Sequence, residues 1–416
     1  MNSRKPIYLM LAVGLTVVTT LAVLPYSLTL QKLKQQVVST FTSKAQPEQA
    51  ATNPPPAKPA FDVAAWYMGR DEKPEEHGVL IESFDGQRVF AAHNADVVYN
   101  PASLIKLATS ALALKTLGAD FRFQTSVYID GKVDDKGALQ GKLFVSGHDP
   151  TFGDYGANLI AEELRARGIK SINGQLVVSP DFIFNFSDKA EESGERLSKG
   201  LKVSKPPSVS VGGETSGELF LTLNSNPLRD VLLYMNAHSS NFVAEKIGAL
   251  IGGASAVEQY LTGQLRLPAA QVTIATVTGR EHNRMTARGV LIVIRALIEE
   301  GKRHGLEATD LLPVVGDDAG TLRRRFVGTS LDRAVVGKTG TLTAEVDGGM
   351  ASLAGIVYTT DGPVVFVILD QGNRISENRQ LEEELLIEVI NGQATPQAIA
   401  GPTPRRLLPS ANIQKQ

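Results

Sequence analysis

The sequence predicts a mixed α+β protein with an antiparallel sheet flanked by helices, an all-helical lobe and an inserted α+β module. Three observations predict this class. Residues 100–118 form an almost entirely apolar stretch with helix-end signals, and residues 335–369 read as consecutive antiparallel strands. Residues 120–225 are rich in short strands and lie between two helical regions. A chain of 416 residues has room for two or three domains.

The composition excludes several classes of function. The formal net charge is -2, which gives no indication of a nucleic-acid partner, and we expect none. The chain has no cysteine, so disulfides, thiol catalysis and cysteine metal sites are excluded. Its six histidines are scattered without the spacing of metal ligands. We therefore predict neither a metal nor a cofactor, and the sequence leaves the oligomeric state open.

The N-terminal segment, residues 1–37, reads as an export signal. Two cations, Arg4 and Lys5, precede an apolar run that stays uncharged until Lys32. A run of this length can span a bilayer, which favours an uncleaved signal anchor over a cleaved signal peptide. Residues 38–60 are rich in Pro, Ala and Gln and predict a disordered tether. We therefore expect an exported, periplasmic or extracytoplasmic protein that is tethered to the cytoplasmic membrane.

Folded sequence begins near residue 61. Residues 77–82 and 87–93 read as two strands, and Asp85-Gly86 between them is a hairpin signal.

Residues 100–118 predict a buried helix that carries a serine and a lysine at a spacing at which the two side chains can react together. Asn100 suits its N-cap and Gly118 suits its end. Ser103 and Lys106 are three residues apart and therefore share a helix face. Because apolar surroundings lower the pKa of an amine, Lys106 is a candidate base for the Ser103 hydroxyl. The alternative is a core helix whose lysine extends to solvent.

Residues 120–225 predict the inserted α+β module, which carries no chemistry that we can name. His148-Asp149 within it reads as a turn rather than a site. The predicted elements are strands at 123–131, 138–147, 174–178 and 218–223, a helix at 158–168, and a loop-rich stretch at 185–217.

Helical sequence returns at residues 227–237 and 242–250, and again at about 287–301. Between the first two helices, residues 239–241 (Ser-Ser-Asn) interrupt the apolar pattern. They either cap the second helix or present a hydroxyl as a proton relay and a carboxamide as an amide-binding group. Further on, the cationic run at residues 323–325 is of the kind that is usually a solvated face.

The C-terminal third predicts a sheet. Residues 335–342 read as a strand, and a glycine at position 340 lets another backbone approach closely. Strands at 350–358 and 363–369 follow, and a helix at 377–390 has an apolar face suited to covering the sheet. Residues 393–416 read as a mobile tail.

Three short motifs occur in order along the chain, namely Ser103-x-x-Lys106, Ser239-x-Asn241 and Lys338-Thr339-Gly340. This trio is the mark of penicillin-binding proteins and class A β-lactamases. The wider sequence, with NPASLIKL, SGHDPTF, GTLRRRF and GKTGTL, resembles the S13 peptidases over about residues 75–390. These class C low-molecular-mass penicillin-binding proteins are D-alanyl-D-alanine carboxypeptidases and endopeptidases.

The resemblance implies the β-lactamase-like transpeptidase fold of penicillin-binding proteins. On this reading the serine acyl-transferase domain comprises residues 61–119 and 226–392, interrupted by the module at 120–225. It also implies peptidoglycan stem peptides as substrates and β-lactam antibiotics as covalent ligands. The implied catalytic residues are Ser103, Lys106 and Ser239, and the implied substrate-binding residues are Asn241, Lys338, Thr339, Gly340 and Thr341.

The implied reaction is acyl transfer through a covalent serine ester. Lys106, kept neutral by burial and by the charge of Lys338, would take the proton of Ser103, and Ser239 would protonate the departing D-alanine. Backbone N–H groups of Ser103 and Thr341 would stabilise the oxyanion.

Two positions depart from the family pattern. Ser240 stands in the middle of the second motif, where aspartate is usual, and residues 276–279 (Thr-Val-Thr-Gly) replace the usual Asp-Gly-Ser-Gly turn. Glu281 is the nearest candidate for a deacylating base, but its surroundings do not match those in class A β-lactamases. A β-lactamase or serine esterase on the same scaffold, and a non-catalytic wall-binding or scaffolding homologue, are therefore the competing interpretations.

Overall fold

The computed structural model describes residues 61–280 and 282–399 and the backbone of residues 414–415. The predicted export segment and tether, residues 1–37 and 38–60, lie outside the described residues. Within those described ranges, no helix combines the length and the hydropathy needed to cross a bilayer.

The first part of the chain forms one side of a central sheet and a long buried helix. Its elements are α1 (Val63–Met68), β1 (His77–Ser83), β2 (Val89–His93), β3 (Val98–Tyr99) and α2 (Ile105–Leu117), with a 3₁₀ turn (Ala102–Leu104) before α2. β1 and β2 pair antiparallel across a turn in which Gly86 has a φ of +75°, as the Asp-Gly signal predicts.

The second part forms a separate mixed sheet with its own core. Its elements are β4 (Gln124–Val133), β5 (Ala138–Gly147), α3 (Asp154–Ala166), β6 (Ser171–Ile172), β7 (Gln175–Val178), α4 (Ala190–Gly200), β8 (Ser208–Val211) and β9 (Glu218–Asn224). The strand order is β9-β4-β5-β7-β8, with β6 beside β5. β4 pairs antiparallel with both neighbours, whereas β5, β7 and β8 run parallel.

The third part forms the helical lobe and completes the central sheet. Its elements are α5 (Leu228–His238), α6 (Asn241–Leu250), α7 (Gly253–Gln259), β10 (Met285–Thr286), α8 (Ala287–Arg303), β11 (Val335–Leu342), β12 (Met350–Val357), β13 (Val364–Gln371), α9 (Ile375–Asn391) and β14 (Gln414–Lys415). β10 pairs with β3, and β14 adds to β9 of the module sheet.

The central sheet is antiparallel throughout and is covered on both faces, as the sequence predicts. Its strand order is β11-β12-β13-β1-β2. Because side chains alternate along a strand, Val365 and Val367 of β13 pack into the core of the helical lobe. Phe366 and Ile368 point to the opposite face and pack with α1 and α9. β11 lies at one edge of this sheet, beside the start of α2.

The helix predicted at residues 100–118 is present, with a tighter first turn than expected. Residues 102–104 form the 3₁₀ turn, and the Asn100 side chain accepts a hydrogen bond from the Ala102 N–H. Every residue from Ile105 to Leu114 is buried, including Lys106. The lysine therefore does not extend to solvent, and the alternative interpretation of a core helix with a solvent-exposed lysine is excluded.

A helix and a strand occupy much of the stretch predicted as loop-rich, residues 185–217. α4 carries a single leucine, Leu197, which is fully buried. Gly194 lies so close to Val209 of β8 that an added Cβ would meet its side chain at 2.6 Å. The helix α4 packs on β8 through this glycine. The sequence pattern does not reveal the helix, because glycine disfavours helices and contributes nothing to an apolar stripe.

The start of the predicted mobile tail, residues 393–399, is bound to the domain. The Gln397 N–H donates to the Tyr358 carbonyl at 2.9 Å, and the Ile399 N–H donates to the Arg333 carbonyl at 2.8 Å. These are backbone contacts, which side-chain patterns do not reveal.

Gly340 of β11 allows the central sheet to touch the start of α2. A Cβ at this position would lie 2.9 Å from the Ala102 Cβ, 3.0 Å from the Pro101 carbonyl oxygen and 2.2 Å from the Ser352 Oγ. The Ser352 hydroxyl donates to that same Pro101 carbonyl at 3.1 Å. The approach of β11 to the helix start therefore requires glycine, as the sequence predicts.

We expect Gly340→Ala to lower the free energy of unfolding by about 1–3 kcal/mol, because neither the Ala102 methyl nor the Pro101 backbone can move aside freely. Urea unfolding followed by circular dichroism measures this change. Gly213→Ala is the matched control, since no atom lies within 4 Å of a Cβ at Gly213, and it should stay within about 0.5 kcal/mol of wild type. Equal stability of the two variants would show that the contact is not tight.

Candidate active site

The first motif lies at the boundary between the central sheet and the helical lobe. Ser103 sits in the 3₁₀ turn before α2 and is partly exposed, so a substrate can reach it. The residue before it, Ala102, has a φ of +51°, a left-handed conformation that costs a non-glycine residue of order 1–3 kcal/mol. Gly279 packs against this strained peptide, because a Cβ there would lie 2.1 Å from the Ala102 carbonyl oxygen.

Lys106 is fully buried directly behind Ser103. Its Nζ lies 2.9 Å from the Ser103 Oγ and 2.8 Å from the Asn241 Oδ1, and it also contacts the Thr278 carbonyl oxygen. Burial, and then the positive charge of Arg280, lower the pKa of Lys106 to about 7. Lys338, which we expected as a neighbouring charge, also interacts electrostatically with Lys106, and Arg280 is a second cation that the sequence did not indicate. An amine with this pKa can serve as a base near neutral pH.

The second motif lies at the junction of α5 and α6, and its three residues have separate roles. Ser239 ends α5 in the left-handed conformation, with a φ of +52°. Ser240 caps α6, its hydroxyl accepting from the Val243 N–H at 3.3 Å. Asn241 turns its side chain to Lys106. Ser240 therefore acts as a helix cap, which explains why aspartate is not needed there for the contacts of its two neighbours.

The third motif joins the second through another buried lysine. Lys338 is fully buried, and its Nζ donates to the Ser239 Oγ at 2.8 Å and to the Thr339 carbonyl oxygen. Burial, and then the charge of Lys106, lower the pKa of Lys338 well below its usual value. The Lys338 amine thus points at Ser239 and is closed off from solvent.

Thr339 and Thr341 present their side chains on one face of the edge strand, since they are two residues apart. The Thr339 hydroxyl lies 2.8 Å from the Thr321 hydroxyl. Thr341 is exposed, and its Oγ1 accepts from Arg379 Nη2 at 2.8 Å.

The three motifs therefore close into one ring of contacts. Lys106 joins the first motif to the second through Asn241, and Lys338 joins the second to the third through Ser239. Gly340 of the third motif packs against Ala102, beside Ser103 of the first motif, and this contact closes the ring. The structure thus brings all eight predicted site residues together, which are Ser103, Lys106, Ser239, Asn241, Lys338, Thr339, Gly340 and Thr341.

The turn at residues 276–279 takes part through its backbone, which the sequence could not reveal. The Thr278 carbonyl accepts from both Ser103 and Lys106. The Asn283 side chain holds the turn, accepting from the Thr276 N–H at 3.0 Å and donating to the Thr276 carbonyl at 2.9 Å. Replacement of the usual Asp-Gly-Ser-Gly side chains therefore leaves this contact in place. Glu281, the candidate deacylating base, lies outside the described residues.

Asp347 links three side chains that lie close in sequence to the site, those of Asn100, His282 and Arg284. Its carboxylate accepts from Asn100 at 2.7 Å, from Arg284 at 2.8 Å and 3.1 Å, and contacts His282 at 2.8 Å. The Arg284 hydrogen bonds hold the pKa of Asp347 well below its usual range. In the part of the chain that the structure describes, no three histidine or carboxylate side chains are grouped as metal ligands.

Comparison with known protein families gives a match over most of the chain. The family model described as "D-Ala-D-Ala carboxypeptidase 3 (S13) family" matches residues 68–196 and 183–391. The carboxypeptidase DacB of Mycolicibacterium smegmatis is 27% identical over 340 residues, which cover 67% of this chain and 72% of that protein.

Two solved structures share the fold. A predatory endopeptidase of Bdellovibrio bacteriovorus superposes with a TM-score of 0.67 at 20% identity and covers 80% of this chain and 96% of its own. Penicillin binding protein 4 of Haemophilus influenzae superposes with a TM-score of 0.57 at 19% identity, over 74% of this chain and 96% of its own. The family match spans both segments that carry the three motifs, and the chain therefore belongs to the S13 family of serine D-Ala-D-Ala carboxypeptidases.

Proposed function

We propose that Ser103 is the nucleophile of this peptidase and Lys106 its general base. The observation that carries this proposal is the set of three polar contacts made by the Lys106 Nζ. A neutral amine has two N–H bonds and one lone pair. The Asn241 Oδ1 and the Thr278 carbonyl oxygen can only accept, so they take both N–H bonds and the lone pair is left for the Ser103 hydroxyl. The single hydrogen of that hydroxyl would then turn from the Thr278 carbonyl oxygen, at 3.2 Å, to the amine, at 2.9 Å.

The proposed reaction begins with attack of the Ser103 Oγ on the carbonyl carbon between the two D-alanines, while Lys106 takes the hydroxyl proton. The C–N bond then breaks, and Ser239 relays the proton that Lys106 accepted to the departing amine nitrogen, so that Ser239 keeps a hydroxyl hydrogen and Lys106 returns to the neutral amine. Because Lys338 donates to the Ser239 oxygen, the hydrogen of that hydroxyl is free to point at the leaving group. Water finally cleaves the serine ester and restores the enzyme.

Substrate binding is proposed for the open side of the ring of contacts. Thr339 and Thr341 would bind the terminal carboxylate, and the edge of β11 would pair with the peptide backbone. Asn241 would hold the peptide amide. Backbone N–H groups of Ser103 and Thr341 would stabilise the oxyanion, a contribution of about 3–4 kcal/mol per donor in comparable sites.

We assign carboxypeptidase action on peptidoglycan stem peptides as the primary reaction, in line with the description of the family. Endopeptidase action on cross-linked peptides is the second candidate, because a protein of the same fold is named an endopeptidase. We also propose covalent binding of β-lactam antibiotics through Ser103. A structure of the Haemophilus influenzae protein is described as a complex with a β-lactam.

An extracytoplasmic location is proposed from the N-terminal sequence. The apolar run of residues 1–37 would anchor the protein in the cytoplasmic membrane, and residues 38–60 would let the enzyme work at a distance from it. Peptidoglycan lies outside that membrane, so this location agrees with the proposed substrate.

A fluorescent penicillin is expected to label the full-length protein covalently at Ser103, and Ser103→Ala should abolish the labelling because no nucleophile remains. Intact-mass and peptide mass spectrometry of the labelled, membrane-extracted protein identify the modified residue and the mature N-terminus together. An N-terminus at residue 1 or 2 supports the anchor, whereas one at about residue 20–40 indicates cleavage.

Labelling that survives Ser103→Ala would remove Ser103 as the nucleophile. No labelling of the wild type would favour the non-catalytic scaffolding alternative. Rapid hydrolysis of a chromogenic cephalosporin, in place of a single stoichiometric turnover, would favour the β-lactamase alternative.

The rate of acylation is expected to rise with pH and to be half-maximal near pH 7, because the neutral form of Lys106 is the base and its pKa is about 7. Stopped-flow measurement of acylation by a fluorescent penicillin between about pH 5 and pH 11 gives the profile. Lys106→Met should slow acylation at least about a hundredfold without loss of helix, as measured by circular dichroism.

Lys115→Met is the matched control, since Lys115 lies in the same helix and is exposed. Its acylation rate and pH profile should equal those of the wild type. A wild-type profile that rises only above pH 9 would contradict the lowered pKa of Lys106.

The assignment of the primary reaction predicts that free D-alanine is released from a stem pentapeptide faster than a cross-linked peptide dimer is cleaved. Liquid chromatography with mass spectrometry quantifies both products from equal substrate concentrations, with Ser103→Ala as the blank. Faster cleavage of the dimer would make the protein primarily an endopeptidase.

A further inference from the structure

We propose that Arg379 is a specificity-determining residue, which directs the hydroxyl of Thr341 to the terminal carboxylate of the substrate and adds positive charge beside it. This inference rests on the proposed function of the site. Arg379 belongs to α9, which covers the face of the sheet opposite the helical lobe and carries none of the three motifs.

The direction of one hydrogen bond supports this role. Arg379 Nη2 lies 2.8 Å from the Thr341 Oγ1. A guanidinium has no acceptor, so the threonine oxygen must accept and its own hydrogen is left to donate elsewhere. Both side chains are exposed at the edge of the sheet, where a peptide paired with β11 would end.

The placement of the cations near β11 also points to Arg379. The cation of the third motif, Lys338, is fully buried and its amine is engaged by Ser239 and by the Thr339 carbonyl. Its burial and these two contacts direct the amine away from an anion bound at the exposed edge of β11. Arginine stays charged at any ordinary pH and matches the shape of a carboxylate. Within the described ranges, no carboxylate lies within ion-pair distance of Arg379.

The backbone of Arg379 is anchored independently of its side chain. Arg325, which is only 8% exposed, donates from Nη2 to the Arg379 carbonyl at 2.8 Å. The Arg325 guanidinium also pairs with Glu382 at 2.9 Å and with Glu383, so α9 is fixed to the segment of residues 321–326. One member of the run predicted as a solvated face is therefore a buried anchor. The same segment supplies Thr321 to Thr339.

The test compares two substrates, an acylated D-Ala-D-Ala with a free carboxylate and the same peptide ending in a carboxamide. Arg379→Gln should lower kcat/KM for the carboxylate about tenfold, mainly through KM, and leave the carboxamide within about twofold, because only the charged end loses a partner. Arg379→Lys, which keeps the charge, should recover part of the preference. Thermal unfolding should be unchanged, since the carbonyl that Arg325 binds remains.

Arg374→Gln is the matched control. Arg374 lies at the start of the same helix, is exposed, and pairs with Glu72 instead of a residue of the site. The Arg374→Gln variant loses one positive charge, as Arg379→Gln does, and its kcat and KM for both substrates should equal those of the wild type.

An unchanged ratio of the two substrates in Arg379→Gln, or an equal loss on both, would overturn the inference. A lysine variant that recovers none of the preference would overturn the part assigned to charge. Turnover of the carboxylate peptide by the wild type, absent in Ser103→Ala, is the reference reaction. If the wild type does not turn the peptide over, the proposed function itself fails and takes this inference with it, whereas the outcomes above leave that function intact.

Discussion

The burial of one amine, that of Lys106, is the constraint on which the rest of the site depends. In water a lysine amine is almost entirely protonated at neutral pH and cannot accept the proton of a serine. α2 removes that solvent, because every side chain from Ile105 to Leu114 is buried. The two acceptors at its Nζ come from distant segments, Asn241 and Thr278, so the surroundings of the proposed base form only when the folded chain brings them together.

The approach of the sheet to the helix start is the second requirement, and it explains where the backbone is unusual. β11 can touch the turn before α2 only because residue 340 has no Cβ. On the other side of that turn Gly279 presses against the Ala102 peptide, which is held at a φ of +51°. Strain beside a nucleophile persists where neighbouring packing enforces it, and here the packing comes from both sides. The partly exposed position of Ser103 is thus a product of contacts on both faces of one short turn.

The sequence predicts the features that depend on side-chain type and on the apolar pattern. It does not predict contacts that are made by backbone groups or by residues distant in the sequence. The strand at 335–342 and the helix that carries Ser103 follow from their apolar patterns and end signals. Thr278 acts through a carbonyl, which every residue type has, so no motif could mark it. Arg325 reads as part of a solvated run, yet two carboxylates of α9 more than fifty positions away bury it. The pKa of Lys106 depends on Arg280 for the same reason, because the charge acts through space.

Asp347 shows how the ring of contacts stays closed across the pH range in which the base changes state. Its carboxylate joins Asn100, three residues before Ser103, to the segment after the 276–279 turn through Arg284. Its pKa in the folded protein is depressed, so this link stabilises the fold above the ordinary aspartate pKa and is lost only as the pH falls through the depressed value. Lys106 titrates near 7, far above that range. If Lys106 is the base, as proposed, its protonation would stop the chemistry while the Asp347 link remains ionised, and loss of activity on mild acidification would be separate from unfolding.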